Sequence, residues 1–126
     1  MSFTRLTGKR NVEVLPSAGT IAKGDAVQYN EAGEVIVVVT NVPVLGIALQ
    51  DATSSTTVEV DILTSSDIVE ATIETGTMGD AEVGNEADIN SADGLTLTES
   101  NLDFIITGWD GVTTSKCYGK FRVLSR

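Results

Sequence analysis

The sequence predicts an all-β protein, and three observations carry that prediction. β-Branched residues gather in short runs, wholly apolar over 35–39 and strictly alternating over 57–62. Gly, Asn, Asp, Ser and Pro punctuate the chain between those runs, as they do in turns. Nothing recurs at a helical spacing, and no amphipathic helix is expected anywhere. At 126 residues the chain fits one domain that buries roughly two-thirds of its unfolded surface. The expected architecture is a single-domain β-barrel or jelly-roll-like sandwich over 19–126, preceded by an N-terminal arm or edge strand over 1–18.

In chain order, the first segment carries Phe3, Leu6, Val12, Val14 and Leu15 and stops at Pro16-Ser17-Ala18-Gly19. Proline cannot donate to a ladder, so this reads as an arm or an edge strand. Lys23-Gly24-Asp25 turns the chain into a strand over 26–29, and Asn30-Glu31-Ala32-Gly33 reverses it into 34–40. After Asn41-Val42-Pro43 comes a strand over 44–49, where Gly46 marks a close backbone approach or a bulge. Residues 51–56 read as a loop. Val58, Val60 and Ile62 then face one way and Thr57, Glu59 and Asp61 the other. Val69, Ala71 and Ile73 share a face of the next strand. Residues 75–85 form a glycine-rich loop, and 86–91 stay ambiguous. Asp93-Gly94 turns into 95–98, a strand follows over 104–109, and Asp110-Gly111 is a second hairpin signal before 112–115 and 116–123 complete the sheet.

The net charge is −10, unevenly distributed. All eight basic residues lie near the ends: Arg5, Lys9, Arg10 and Lys23, then Lys116, Lys120, Arg122 and Arg126. The 92 residues from 24 to 115 hold no Lys or Arg and seventeen carboxylates. Termini that meet in space would create a basic pole on an acidic body; acidity that simply keeps the protein soluble is the plainer alternative. Such a charge disfavours nucleic-acid binding, which rests on phosphate neutralisation. No apolar run reaches the ~20 residues of a membrane span, and the first residues lack the apolar segment of a secretory signal.

The order Gly24-Asp25-Ala26-Val27, Leu45-Gly46-Ile47-Ala48 and Thr57-Val58-Glu59-Val60 resembles the plan of small β-rich decoration (cement) proteins that coat the capsids of tailed bacteriophages. The likeness covers about a third of the chain and rests on order and spacing. A vaguer likeness continues through Asp93-Gly94-Leu95-Thr96-Leu97 and Ile106-Thr107-Gly108-Trp109-Asp110. The resemblance implies a barrel or jelly-roll-like fold, homotrimers at three-fold positions, the major capsid protein as partner, the outer surface of the virion as location after synthesis in the host cytoplasm, and no catalysis.

Candidate contact residues come from the two basic ends. Phe3, Arg5, Leu6, Lys9 and Arg10 lie on the N-terminal arm. Lys116, Tyr118, Lys120 and Arg122 fall on alternate positions of the last strand and so on one face, with Cys117, Gly119, Phe121 and Val123 on the other. This basic stripe is either a docking surface or the guard of an exposed edge strand.

Other chemistry finds little footing. Asp88, Asn90, Asp93, Gly94 and Glu99 resemble a calcium loop, but Ala92 and Asp93 occupy positions that need an oxygen ligand and a glycine, so a turn is expected. Without histidine, a Ser or Cys nucleophile lacks its ordinary base, and Cys117 sits on the inward face of its strand. Carboxylates are everywhere and no pair stands out. Trp109 reads as a hairpin anchor. No cofactor, metal, membrane, nucleic acid or small-molecule substrate is expected. A carbohydrate-binding or adhesive β-module, marked by exposed aromatics, is the alternative to a capsid decoration protein.

Overall fold

The strands wind into two rings that share a buried wall. The computed structural model describes residues 2–39, 43–91, 93–97 and 103–124. In order the strands are β1 (Phe3–Arg5), β2 (Val12–Ser17), β3 (Ala26–Tyr29), β4 (Val35–Val37), β5 (Gly46–Ala48), β6 (Thr56–Ile62), β7 (Val69–Thr75), β8 (Glu86–Ser91), β9 (Gly94–Thr96), β10 (Phe104–Gly108) and β11 (Lys116–Phe121). One short 3₁₀ turn, Asp80–Glu82, interrupts them. The first half closes as a barrel in the order β2-β4-β3-β5-β6. The second forms a sheet ordered β1-β7-β11-β10-β8-β9, and a further β7–β9 pairing bends it back on itself. The all-β prediction holds, and of its two variants the barrel is the one observed.

The continuous apolar runs have a common cause. Val27, Val35, Leu45, Ala48, Val58, Val60 and Ile62 fill the first barrel. Ala26, Val38, Val44, Ile47 and Leu63, from the same segments, belong instead to the core built around Phe3, Val69, Ala71, Phe104, Ile106 and Phe121. Strands covered on both faces cannot alternate, so the residues of 35–38 and 44–48 are apolar on both sides because they form the wall between the rings. Gly46 belongs to that wall: a Cβ there would collide with the Asp61 carbonyl of the paired strand β6.

Three expectations are settled or changed. Of the two readings of 1–18, an arm or an edge strand, β1 takes the second, standing at the end of the six-stranded order. β1 pairs antiparallel with β7, Phe3 opposite Ala71, while β2 pairs with β6 along its whole length and belongs to the first barrel. Residues 112–115 are not strand: the Asp110 carboxylate accepts the Val112 and Thr113 N–H groups and the Thr113 hydroxyl, capturing donors that a ladder would use. The ambiguous stretch 86–91 is β8, its Ala87 and Ile89 buried in the second ring. The Asn30 turn forms as predicted, with its Oδ1 accepting the Ala32 and Glu34 N–H groups and Gly33 at φ +78°. The expected strand residues Thr40 and Thr98, the turn residues 41–42 and 99–101, and Arg126 lie outside the described residues.

Candidate functional site

The two basic ends do meet, because β1 and β11 flank the same strand. Thr4 lies opposite Glu70 of β7, and Glu70 lies opposite Tyr118 of β11. The nine candidate residues nevertheless divide sharply once placed.

Phe3 and Arg5 face the protein. Phe3 is 2% exposed and stacks edge-to-face on Phe121 at 4.8 Å, and Phe121 meets Phe104 in the same way at 5.0 Å. Such aromatic pairs add ~0.5–1.5 kcal/mol beyond their burial. Arg5 reaches from β1 to the end of β6 and the β6–β7 connection. Its Nε donates to Asp61 Oδ2 at 2.8 Å, its second terminal nitrogen to Asp61 Oδ1 at 2.9 Å, and Nη1 lies 2.6 Å from Asp67 Oδ1. The hydrogen bond to Asp61 raises the guanidinium further above its ordinary value, with Asp67 adding to it against the cost of burial. Burial pushes Asp67 up, yet the Thr64 N–H and the Arg5 guanidinium together hold it below the usual carboxylate range. Both residues are structural: the cation proposed for docking is spent clamping the first barrel to the second.

Leu6, Lys9 and Arg10 stay on the surface. Arg10 touches Asp61 only at 3.9 Å, and Lys9 makes no ion pair among the described residues. With Lys23, Arg10 rims a groove of about 260 Å³ whose floor is Ile47, Ala48 and Leu49.

The last strand is not an edge. β11 is hydrogen-bonded to β7 on one side and β10 on the other, so its charges guard no open ladder. Lys116, Tyr118, Lys120 and Arg122 do share the outer face, as the alternation requires. Two of the cations are partly neutralised: Lys116 Nζ lies 3.4 Å from Glu70, and Arg122 lies 3.9 Å from Asp103. Lys120 stands opposite Ile105 of β10, which is 42% exposed, and Ile105 stands opposite Glu86 of β8. The product is a mixed face of Thr4 on the edge strand β1 and of Glu70, Tyr118, Lys120 and Ile105 on the central strands β7, β11 and β10. The outer apolar residue Ile105, part of this face, was missed at the sequence level because it lies in a run, Phe-Ile-Ile, where inward and outward residues look alike.

The remaining chemistry is quickly placed. Cys117 is fully buried and desolvation pushes its thiol up to about 12, so it is neither exposed nor ionised at neutral pH. Asp88 and Asn90 lie within β8, and Asp93 accepts from Ser91 beside Glu74; Ala92 and Glu99 lie outside the described residues. Among the described residues no group of three His, Cys, Asp or Glu side chains converges as a metal site. Trp109 packs against the second core and donates its indole N–H to Asp80 at 2.9 Å, the anchor expected of it. All three phenylalanines are buried. No helix among the described residues is long and apolar enough to cross a membrane.

Comparison with known proteins returns no matching family model and no matching curated sequence.

Proposed function

We propose that this protein is a capsid decoration protein: it binds the outer surface of a bacteriophage shell, with the major capsid protein as partner, assembles as a homotrimer, and works by bridging subunits rather than by transforming a molecule. The observation that carries this reading is the mixed outer face of β1, β7, β11 and β10. Tyr118, Lys120 and Ile105 stand there on central strands, presenting an amphipathic, partly basic surface from an otherwise acidic molecule. The order of the first-half strand motifs, which resembles that of decoration proteins, supports it from the sequence side.

The mechanism is additive. Each copy removes a modest apolar and polar area from water across a seam in the shell, and simultaneous engagement of linked copies multiplies that gain as effective concentration. Rigidity serves this role, since a face on paired central strands loses little conformational freedom on docking. The test is Lys120→Glu combined with Ile105→Asp, both at solvent-facing positions. The folded variant is expected to lose co-sedimentation with undecorated heads, and the wild type to bind less tightly as salt rises. Unchanged binding and an unchanged salt dependence would remove this face from the mechanism.

A further inference from the structure

The second ring repeats the first. In the first, β2 bonds β4 in parallel and β6 antiparallel, β3 bonds β4 and β5, and β5 bonds β6. In the second, β7 bonds β9 in parallel and β11 antiparallel, β8 bonds β9 and β10, and β10 bonds β11. The registers agree as well as the order. Ser17–Val35 answers to Ile73–Leu95, Gln28–Ile36 to Asp88–Thr96, Ala26–Ile47 to Glu86–Ile105, and Ile47–Asp61 to Ile105–Lys120. The turn before β3 recurs before β8. Gly24 and Gly84 both hold φ +92°, and their N–H groups donate to the Ala48 and Ile106 carbonyls; the next carbonyls, of Asp25 and Asn85, accept from the Ala48 and Ile106 N–H groups.

The counterparts differ in what covers them. On the first ring the outward residues Ala26, Ile47 and Asp61 form a row beside β1. Ala26 and Ile47 share the second core with Phe3, the Arg5 guanidinium holds Asp61, and the Phe3 N–H donates to the Gly24 carbonyl at 2.9 Å. Ser2 stands over Gly24 so closely that a Cβ there would collide with it. On the second ring the same row is Glu86, Ile105 and Lys120, and among the described residues it is open. Ile105 is 42% exposed, a Cβ built on Gly84 would meet nothing within 4 Å, and a cavity of about 210 Å³ lies between Glu86, Ile105, Lys120 and Arg122. Lys120 makes no ion pair among the described residues.

We propose that this row is the docking site for an extended segment of a partner protein, seated as β1 is seated on the first ring and carrying a carboxylate where β1 carries Arg5. The repeat supplies the shape of the occupant, and the charges supply its sign. Its leading N–H meets the Gly84 carbonyl, which accepts no main-chain hydrogen bond among the described residues. An apolar residue in the place of Phe3 covers Ile105. Two residues on, the carboxylate reaches Lys120, which stands where Asp61 stands on the first ring. Glu86, across Ile105 from Lys120, repels a carboxylate at the leading end and so fixes the direction of the segment. The β1 of a second copy does not qualify: its Phe3 is 2% exposed, and its Arg5 would face Lys120 with like charge. On the decoration reading, on which the source of the segment rests, the shell subunit supplies it.

The probe is a blocked serine-phenylalanine-threonine-glutamate-leucine-threonine peptide, which copies residues 2–7 with glutamate in the place of Arg5. At millimolar concentration it is expected to shift the amide resonances of Gly84, Ile105 and Lys120. The counterpart that keeps arginine should bind roughly tenfold more weakly. Lys120→Glu should reverse that preference, and Ile105→Asp should abolish binding of the glutamate peptide while the spectrum stays dispersed. Unmoved resonances, equal binding of the two peptides, a preference that Lys120→Glu leaves unchanged, or wild-type self-association that Lys120→Glu dissolves would each overturn the proposal. With undecorated heads, excess glutamate peptide should displace the wild-type protein; coating that the peptide leaves intact would overturn the shell subunit as the source of the segment. If the wild type itself does not coat, the decoration reading falls and the peptide measurement alone decides the site.

Discussion

Replacing Arg5 by alanine removes a side chain that joins β1, the end of β6 and the β6–β7 connection. It leaves two carboxylates, Asp61 at 1% and Asp67 at 8% exposure, without their close cation, Asp61 keeping only the more distant Arg10 at 3.9 Å and the Asn11 N–H at 3.2 Å. Breaking a buried pair from one side costs about 3–5 kcal/mol, because the abandoned charge is the expensive part. Two abandoned carboxylates favour the upper half of that range, while Asp67 keeps its Thr64 N–H and hydroxyl hydrogen bonds, which moderates it. For a chain of this size about 4 kcal/mol corresponds to a fall in Tm of roughly 12–20 °C. It is a large fraction of the ~5–15 kcal/mol that holds a domain together. The assay is thermal unfolding at pH 7 followed by circular dichroism. Asp61→Asn should cost less, since Asp67 still engages the guanidinium. The pH dependence follows from Asp67. Its folded value lies below the ordinary 3.8, so the unfolded chain binds protons first as pH falls. Its contribution is therefore complete above that ordinary value and is lost as pH drops through the lower folded one. An Arg5→Ala protein within about 1 kcal/mol of wild type would refute the clamp and place Arg5 among weak surface ion pairs.

Two further outcomes follow from buried groups. Burial raises the pKa of Asp25 despite the Ala22 N–H that it accepts, so the folded state resists its ionisation. Asp25→Asn should raise Tm at neutral pH, with the gain shrinking as pH falls below the raised folded value, and an equal Tm across that window would contradict the assignment. Cys117, buried and protonated, should react with a thiol reagent only at the rate at which the protein opens; rapid labelling of the native state would show an accessible thiol.

Much of the fold was legible because alternation and turn chemistry are local. Val58, Val60 and Ile62 declared one buried face, and so did Val69, Ala71 and Ile73; the Asn30 and Lys23-Gly24-Asp25 turns formed where their side chains and glycines required. What the sequence hid was long-range. The apolar runs around 35–38 and 44–48 do not say that their second face packs on another ring. The irregular 1–18 segment does not say that Phe3 completes a core with Phe104 and Phe121, about a hundred positions away in sequence. The same distance effect blurred the candidate site. Arg5 looks like any basic residue of a terminal arm until Asp61 and Asp67 are brought beside it. The Lys116–Arg122 stripe looks like an edge until β7 and β10 are seen to bond both sides of it. Residues 112–115 misled because Asp110 competes for the donors of the very segment that its turn introduces.

The claim at the centre of this account is that the molecule works by seating itself on a larger shell. Electron microscopy of the purified protein mixed with undecorated expanded phage heads measures this directly. The account predicts added density on the outer surface, repeated with the symmetry of the shell and fitted by this double barrel with the Tyr118–Lys120 face turned inward. Bare heads at saturating protein, with the protein recovered entirely in the unbound fraction, would contradict it.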